Sequence, residues 1–325
     1  LNTAEPARAP SKPNWMLNLT FALLFGGVFA TGVAVLLEYF DTSFRHVADV
    51  ESVLRLPVLG VIPFAHDPLG EAGNDPAQLE PYRVLHTNIN LTIQPPGEPR
   101  ALVIFSAGPG EGKSTTLHQV ARLMGAGGER VILIDSDLRR PTQHRLAGRS
   151  KEPGLSELLL GQKTIEEVIQ KDISPGLDFI PSGAVAGFAL SLIYGNRLRD
   201  VIKTLKGRYD KIVFDSPPII GVSDASVLVS AVDGAVLLIQ HRRNPQSMVL
   251  RAQQIVEGLK VPLIGVVLNQ VPANAGGDYG YYTSNYAYYG DASGAKARRR
   301  TARDAKAAAA GVTNEKDRLI LREPD

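Results

Sequence analysis

The sequence Ala107-Gly-Pro-Gly-Glu-Gly-Lys-Ser-Thr115 connects an apolar run, residues 101–106, to a helical pattern over residues 116–124. A strand, a glycine-rich loop, Lys-Ser and a helix, in that order, are the layout of a P-loop. The glycines allow backbone N–H groups to turn towards phosphate oxygens, and the start of the helix adds positive potential. The pattern therefore predicts a phosphate-binding loop. A glycine-rich turn without a ligand is the alternative.

The residues of this loop have distinct expected roles. Lys113 would reach the β- and γ-phosphates of ATP, and the Ser114 hydroxyl would hold Mg²⁺. The first position of the strict motif is Ala107 rather than glycine, which is a departure from the pattern. The other predicted nucleotide contacts are Gly108, Gly110, Gly112 and Thr115.

Composition excludes several classes of function. The chain has 325 residues, of which 44% are hydrophobic and 21% charged, as in a globular protein. It has no cysteine, which removes disulfides, thiolate nucleophiles and cysteine-ligated clusters. The formal net charge of +2 gives no reason to expect nucleic acid as a partner, and the six histidines show no metal-ligand spacing.

Residues 16–37 form an uncharged, apolar run. At about 1.5 Å per residue, a helix of this length covers the roughly 30 Å hydrocarbon core of a membrane. Trp15 and Tyr39 stand at its two ends, as interfacial anchors would. We therefore predict a transmembrane helix over residues 15–40. A buried helix of a soluble protein is the alternative, whereas the length of the run and its flanking prolines argue against a signal peptide.

The P-loop predicts the orientation of this helix in the membrane, because the ATP that the loop would bind is in the cytosol. Residues from 41 onward are therefore expected in the cytoplasm, and residues 1–14 as an extracytoplasmic stub. Residues 41–79 are predicted to be a linker that contains a short extended run at 56–63, bounded by prolines. Residues 80–91 have helical periodicity and begin the predicted catalytic domain, 80–274.

From residue 101 the pattern alternates strands and helices. Further strands are predicted at residues 131–134, 177–180, 211–214, 234–239 and 263–268. Helices are predicted between them at 154–160, 164–170, 190–205, 224–232 and 246–259. Strands that are apolar throughout are buried on both faces, which indicates an α/β fold with a mainly parallel sheet covered by helices on both faces.

Three aspartates follow these strands. Asp135 and Asp137 come after one buried strand, and Asp215 comes after another. A strand-end aspartate can order Mg²⁺, so Asp137 and Asp215 join Ser114 as predicted metal ligands. Asp135 and Asp137 are both candidates to accept a proton from an attacking hydroxyl. Simple capping of a loop is the alternative for either residue.

The P-loop, the D-x-D-x-R element and the Asp-Ser-Pro-Pro element together resemble those of the bacterial tyrosine kinases, P-loop enzymes of capsule and exopolysaccharide export systems. These elements are called Walker A, Walker A′ and Walker B, and the family tolerates alanine at the first P-loop position. The resemblance covers about residues 10–290 and implies that Asp135 or Asp137 positions or deprotonates a tyrosine, with Asp135 the first choice. It assigns catalytic roles to Lys113 and Asp215 as well.

A cluster of tyrosines lies near the C-terminus. Six of the ten tyrosines in the chain are Tyr279, Tyr281, Tyr282, Tyr286, Tyr288 and Tyr289. No period of 2 or 3.6 gives an apolar face, so residues 275–290 are not a core element. In the family such a cluster is the autophosphorylation target, and transfer between neighbouring subunits is expected. A low-complexity segment or an aromatic ligand platform is the alternative. Residues 291–325 are predicted to be a basic, disordered tail.

The resemblance also implies partners. In the family an E-x-x-R-x-x-R-like helix forms a ring interface, and Glu80, Arg83 and His86 occupy its positions here. The expected assembly is a ring-like homo-oligomer in the inner membrane that works with polysaccharide assembly or export machinery and with a phosphotyrosine phosphatase. A complete member carries a first membrane helix and a periplasmic domain upstream, so this sequence is expected to be its C-terminal part.

Two other functions stay open at this stage. The chain could be a P-loop ATPase that acts as a positioning switch, although such ATPases carry an extra lysine where this chain has Gly108. It could also be a non-catalytic co-polymerase scaffold, against which the intact set of loop and aspartate residues argues.

Overall fold

The computed structural model describes residues 14–66, 75–93, 97–184 and 196–272. The chain divides into two compact units, Leu1–Ser43 and Phe44–Asp325. In the described part of the first unit, helix α1 (Trp15–Phe40) contains an 18-residue stretch with a mean hydropathy of 2.2 and has no buried side chain. The helix predicted over residues 15–40 is therefore confirmed, and by length and composition it can cross a membrane.

The second unit is built on one eight-stranded sheet. Its strands are β1 (Val58–Pro63), β2 (Arg100–Ser106), β3 (Val131–Asp135), β4 (Gln170–Ser174), β5 (Leu177–Ile180), β6 (Lys211–Asp215), β7 (Gly234–Gln240) and β8 (Leu263–Val271). They lie in the order β1-β8-β7-β2-β6-β3-β5-β4, and every neighbouring pair is parallel except β4 with β5. The predicted mainly parallel sheet is confirmed.

Helices cover both faces of this sheet. They are α2 (Val47–Leu54), α3 (Pro76–Thr92), α4 (Lys113–Ala126), α5 (Gln143–Leu146), α6 (Leu155–Leu160), α7 (Ile165–Val168), α8 (Asn196–Lys206), α9 (Ser223–Ala231) and α10 (Gln246–Gly258). Alternate residues of β3 enter opposite cores, because successive strand side chains point to opposite faces. Leu133 packs in the core that contains α3 and α4, whereas Ile132 packs in the core that contains α2, α9 and α10.

The predicted linker over residues 41–79 requires correction. Its first part folds as α2, whose Val50 and Leu54 are fully buried, and its apolar run forms the edge strand β1. β1 pairs in parallel with β8, so the folded unit begins at Phe44 rather than at residue 80. The extended run itself was predicted, but its membership in the sheet was not, because its pairing partner β8 lies near the other end of the domain.

The remaining differences concern the ends of elements and two short elements, β4 and α5, that the sequence pattern did not predict. The helix predicted over residues 164–170 ends at Val168, and the chain continues as the antiparallel edge strand β4. The strand predicted over 131–134 includes Asp135, and the strand predicted over 211–214 includes Asp215. Both aspartates are therefore the last residues of buried strands, which fixes their side chains more firmly than a loop would.

Replacing Leu54 by alanine tests whether α2 belongs to the domain. We expect the free energy of unfolding to fall by about 2–5 kcal/mol, because a fully buried leucine leaves a cavity. Urea-dependent pulse proteolysis of the detergent-solubilised chain measures this change. The neighbouring Val53 is 37% exposed, so Val53→Ala should change the same quantity by only about 0.5 kcal/mol. Equal effects of the two substitutions would contradict the assignment of α2 to the core.

Candidate active site

The predicted P-loop lies at the carboxyl edge of the sheet, between the end of β2 and the start of α4. Gly110 and Gly112 have φ angles of +73° and +95°, which glycine adopts without strain. A Cβ on Gly112 would overlap the side-chain amide of Asn269 at the end of β8. The glycine at position 112 is therefore required both by the backbone angle and by a close neighbour.

Glu111 holds the loop in this conformation. Its buried carboxylate accepts hydrogen bonds from the N–H of Gly108 at 2.5 Å and from the N–H of Gln240 at 3.3 Å. Asn269 Nδ2 donates to the Glu111 carbonyl oxygen at 2.8 Å. Burial raises the pKa of Glu111, although these N–H groups and the charge of Lys113 oppose that rise. The ends of β7 and β8 thus hold the P-loop in place through these hydrogen bonds.

Asp135 and Asp215 are paired residues on adjacent strands, and both are fully buried. Oδ2 of Asp135 accepts the N–H groups of Thr142 at 3.1 Å and Gln143 at 3.0 Å. Oδ2 of Asp215 accepts a hydrogen bond from Gln143 Nε2 at 2.9 Å, and the nearby Ser114 hydroxyl, like that amide, opposes the rise in the Asp215 pKa that burial causes. Within the described part of the chain, the Oδ1 atom of each aspartate is buried without a hydrogen-bond partner.

This pair of carboxylates is suited to a cation. Burial, followed by the charge of Asp215, raises the pKa of Asp135 to about 8, and burial likewise raises the pKa of Asp215. Two unpartnered carboxylate oxygens beside a serine hydroxyl are the hard oxygen ligands that Mg²⁺ prefers. No cluster of three His, Cys, Asp or Glu that could hold a metal occurs among the described residues.

A cleft of about 940 Å³ lies on this edge of the sheet. It brings together six of the predicted site residues: Gly110, Gly112, Lys113, Ser114, Thr115 and Asp137. Gly108 is buried, with its N–H directed to Glu111. Asp135 is fully buried, whereas Asp137 is partly exposed and accepts the Arg140 N–H through Oδ1 at 2.9 Å. The placement therefore changes the first choice of proton acceptor from Asp135 to Asp137.

The loop that carries Asp137 is tied to the start of α9. Nε and Nη2 of Arg139 lie 2.9 and 2.8 Å from Oδ2 of Asp224, whose side chain is only 3% exposed. Sequence analysis did not find Asp224, Glu111 or Gln143. None of them belongs to a recognised spacing, and each acts through a contact with a residue distant in sequence or across a turn.

The predicted interface residues lie on α3. Arg83 is exposed and forms an ion pair with Glu80 at 3.1 Å. His86 is instead turned towards its own chain, where Nε2 lies 3.4 Å from the Glu129 carboxylate and 2.8 Å from Asn90 Nδ2. The six tyrosines predicted as phosphoacceptors lie outside the described residues.

Comparisons with known proteins show the family of the chain. The sequence model of the AAA domain matches residues 100–248. Tyrosine-protein kinase YwqD of Bacillus subtilis strain 168 is 32% identical over 203 residues, which are 62% of this chain and 85% of that protein. The chain belongs to the bacterial tyrosine kinase family. The resemblance inferred from the P-loop and the strand-end aspartates is thereby confirmed.

Two further comparisons show how far this membership extends. The solved kinase domain of Escherichia coli tyrosine kinase ETK superposes with a TM-score of 0.65 at 28% identity, covering 71% of this kinase and 96% of that domain. The putative tyrosine-protein kinase EpsB of Ralstonia solanacearum is 27% identical over 308 residues, covering 88% of this kinase but 41% of EpsB. The kinase thus spans less than half of the longer relative.

Gly112→Ala tests the P-loop geometry of the kinase. The substitution adds about 1–2 kcal/mol of left-handed backbone strain and also displaces Asn269, so we expect Mg-ATP binding to be lost. Calorimetric titration of the full chain with ATP and Mg²⁺ measures the affinity.

Gly128→Ala is the matched control for this substitution. Gly128 has the same φ of +95° but nothing within 4 Å of an added Cβ. It should lower stability by a similar amount and leave ATP affinity unchanged. If both variants lost ATP binding equally, the contact with Asn269 would not be what shapes the loop.

Proposed function

We propose that the chain is a membrane-anchored kinase that transfers the γ-phosphate of ATP to the tyrosines of its own C-terminal cluster. Through this modification it regulates polysaccharide assembly or export. One observation carries the proposal: Lys113, Ser114 and Asp137 line one cleft. The Ser114 hydroxyl also acts on Asp215, whose pKa it lowers and whose backbone pairs with that of Asp135. Membership in a family of tyrosine kinases supports tyrosine as the residue that accepts the phosphate.

The residues of the cleft have different roles in phosphoryl transfer. Lys113 and the N–H groups at the start of α4 attract the phosphates. Ser114 and Asp215 would hold Mg²⁺, which when bound neutralises charge on the β- and γ-phosphates. A phenol has a pKa near 10, so its attack benefits from a carboxylate acceptor. The tyrosine oxygen bonds to the γ-phosphorus, the bond to the ADP oxygen breaks, and Asp137 takes the phenolic proton.

We propose that transfer takes place between subunits. The exposed Glu80–Arg83 pair on α3 offers a surface for a second copy, although His86 contributes to contacts inside its own chain. The tail follows β8, and Gln270 of that strand lines the cleft. The last described strand, β8, therefore ends beside the cleft, and transfer within one chain is the specific competing outcome.

α1 supports the proposed location. Its apolar length suits a membrane anchor, and the proposed use of cytosolic ATP places the folded unit on the cytoplasmic side of the inner membrane. Repeated phosphorylation would add about −1.5 to −2 charges at each tyrosine, so phosphorylated tails would repel one another and loosen a ring. A phosphotyrosine phosphatase would then reset the assembly.

Phosphosite mapping after incubation with ATP and Mg²⁺ tests the activity and the role of Asp137. We expect phosphate on residues 279–289 in the unmodified chain and none in Lys113→Met. Asp137→Asn should lower the rate by about 10²–10⁴-fold, because it removes the proton acceptor. Asp210→Asn is the control, since Asp210 pairs with Arg130 at the opposite edge of the sheet. A normal rate in Asp137→Asn would exclude this residue as the acceptor.

The same experiment separates the competing functions. Hydrolysis of ATP without phosphotyrosine, in the membrane-embedded chain as well, would favour a positioning switch. Absence of ATP binding would favour a non-catalytic scaffold.

Complementation tests transfer between subunits. One chain carries Lys113→Met and an intact tail, and the other carries an intact cleft with all six clustered tyrosines changed to phenylalanine. We expect phosphotyrosine on the first chain only when both share one membrane, since neither contains both the cleft and the acceptor. Adding Arg83→Ala to both should reduce the signal, whereas Arg208→Ala, which removes another surface pair, should not. If the mixture gave no phosphotyrosine while the unmodified chain did, the result would indicate transfer within one chain.

A further inference from the structure

Gln143 occupies the point where the three motifs of the site meet. It is fully buried at the start of α5. Its backbone N–H bonds Asp135, and its side chain reaches both Ser114 of the P-loop and Asp215 at the end of β6. Neither motif spacing nor the family resemblance assigns it a role.

The hydrogen bonds of Gln143 fix the direction of its amide. Nε2 donates to the Ser114 carbonyl oxygen and to Asp215 Oδ2, each at 2.9 Å. The Ser114 carbonyl oxygen can only accept, so the amide oxygen must face the other way. There Oε1 lies 3.1 Å from Nδ1 of His118, which therefore carries the hydrogen. His118 is buried one turn beyond Ser114 on α4, and burial lowers its pKa.

These contacts occupy only one of the two carboxylate oxygens of Asp215. The amide of Gln143 occupies Oδ2, while Oδ1 has no hydrogen-bond partner among the described residues. An amide that donates to a carboxylate also favours its ionised form, which opposes the effect of burial. A reversed amide would point its oxygen at Asp215 and repel the carboxylate.

We propose that Gln143 is a positioning residue that orients Asp215 and Ser114 towards Mg²⁺, and that His118 fixes the direction of the Gln143 amide. The inference rests on the proposed function only in requiring that ATP and Mg²⁺ bind. Hydrogen-bonding partners of metal ligands typically change metal affinity or activity by about 10- to 100-fold when they are lost.

Gln143→Met tests the first half, because methionine has a similar length and no hydrogen-bond donor. Binding of a fluorescent ATP analogue to the full chain is measured without metal and during a Mg²⁺ titration. We expect the apparent Mg²⁺ affinity to fall about 10- to 100-fold, while binding without metal changes less than about twofold. A purely structural role would weaken both measurements together, and that result would overturn the proposal. So would a folded variant with normal Mg²⁺ affinity.

Gln253→Met is the matched control. Gln253 is a buried glutamine on α10 whose Nε2 donates to the Leu54 carbonyl at 2.9 Å and to Glu257 at 2.8 Å. Its loss should lower the urea midpoint without changing Mg²⁺ affinity. A fall in Mg²⁺ affinity equal to that of Gln143→Met would show a general effect of losing a buried amide and would overturn the proposal.

Two variants of His118 test whether this residue fixes the direction of the Gln143 amide. They remain informative even if Gln143→Met fails to fold. His118→Gln retains a donor for Gln143 Oε1 and should keep most of the Mg²⁺ affinity. His118→Leu removes that donor and should weaken Mg²⁺ binding without weakening metal-free nucleotide binding. Identical behaviour of the two variants would overturn the role of His118. Absence of Mg²⁺-dependent nucleotide binding in the unmodified chain would instead contradict the proposed function.

Discussion

The burial of two carboxylates on adjacent strands is the constraint around which this site is organised. Asp135 and Asp215 end paired parallel strands, so their side chains leave the sheet at the same place. In a buried environment, neither charge is stable without hydrogen bonds or a cation. The surrounding structure supplies bonds to one oxygen of each carboxylate and leaves the other oxygen unpartnered. The fold thus favours the binding of a cation beside the P-loop.

The neighbouring elements follow from that need. α5 is only one turn long, yet its first residue, Gln143, is buried and bonds both carboxylates. The P-loop is held by a separate set of bonds from Glu111 to the end of β7 and from Asn269 of β8. Because one set lies on each side of β2, the loop and the carboxylates keep a fixed relation before any ligand binds. Such preorganisation is what electrostatic catalysis requires.

The sequence was informative where chemistry depends on neighbours along the chain. The P-loop combines a strand, a turn and a helix start within a few residues, so its pattern predicts its structure directly. Gln143 and Glu111 could not be found in this way, because their roles come from contacts across strands. The extended run at 56–63 was predicted, but it was assigned to a linker for a related reason, because its place in the sheet depends on pairing with the distant strand β8. The spacing of Asp135 and Asp137 predicted two acidic roles but not which residue faces the cleft.

The backbone after β3 explains how two aspartates two residues apart acquire different environments. In a continued strand, Asp135 and Asp137 would point to the same face. Ser136 is still attached to β6, since its N–H and hydroxyl both bond the Asp215 carbonyl oxygen, at 3.0 and 2.5 Å. Beyond it the chain turns away, and Asp137 bonds the Arg140 N–H within that turn. The sheet therefore retains Asp135 as a buried partner of Asp215, and the turn delivers Asp137 to the cleft, where a substrate hydroxyl can reach it.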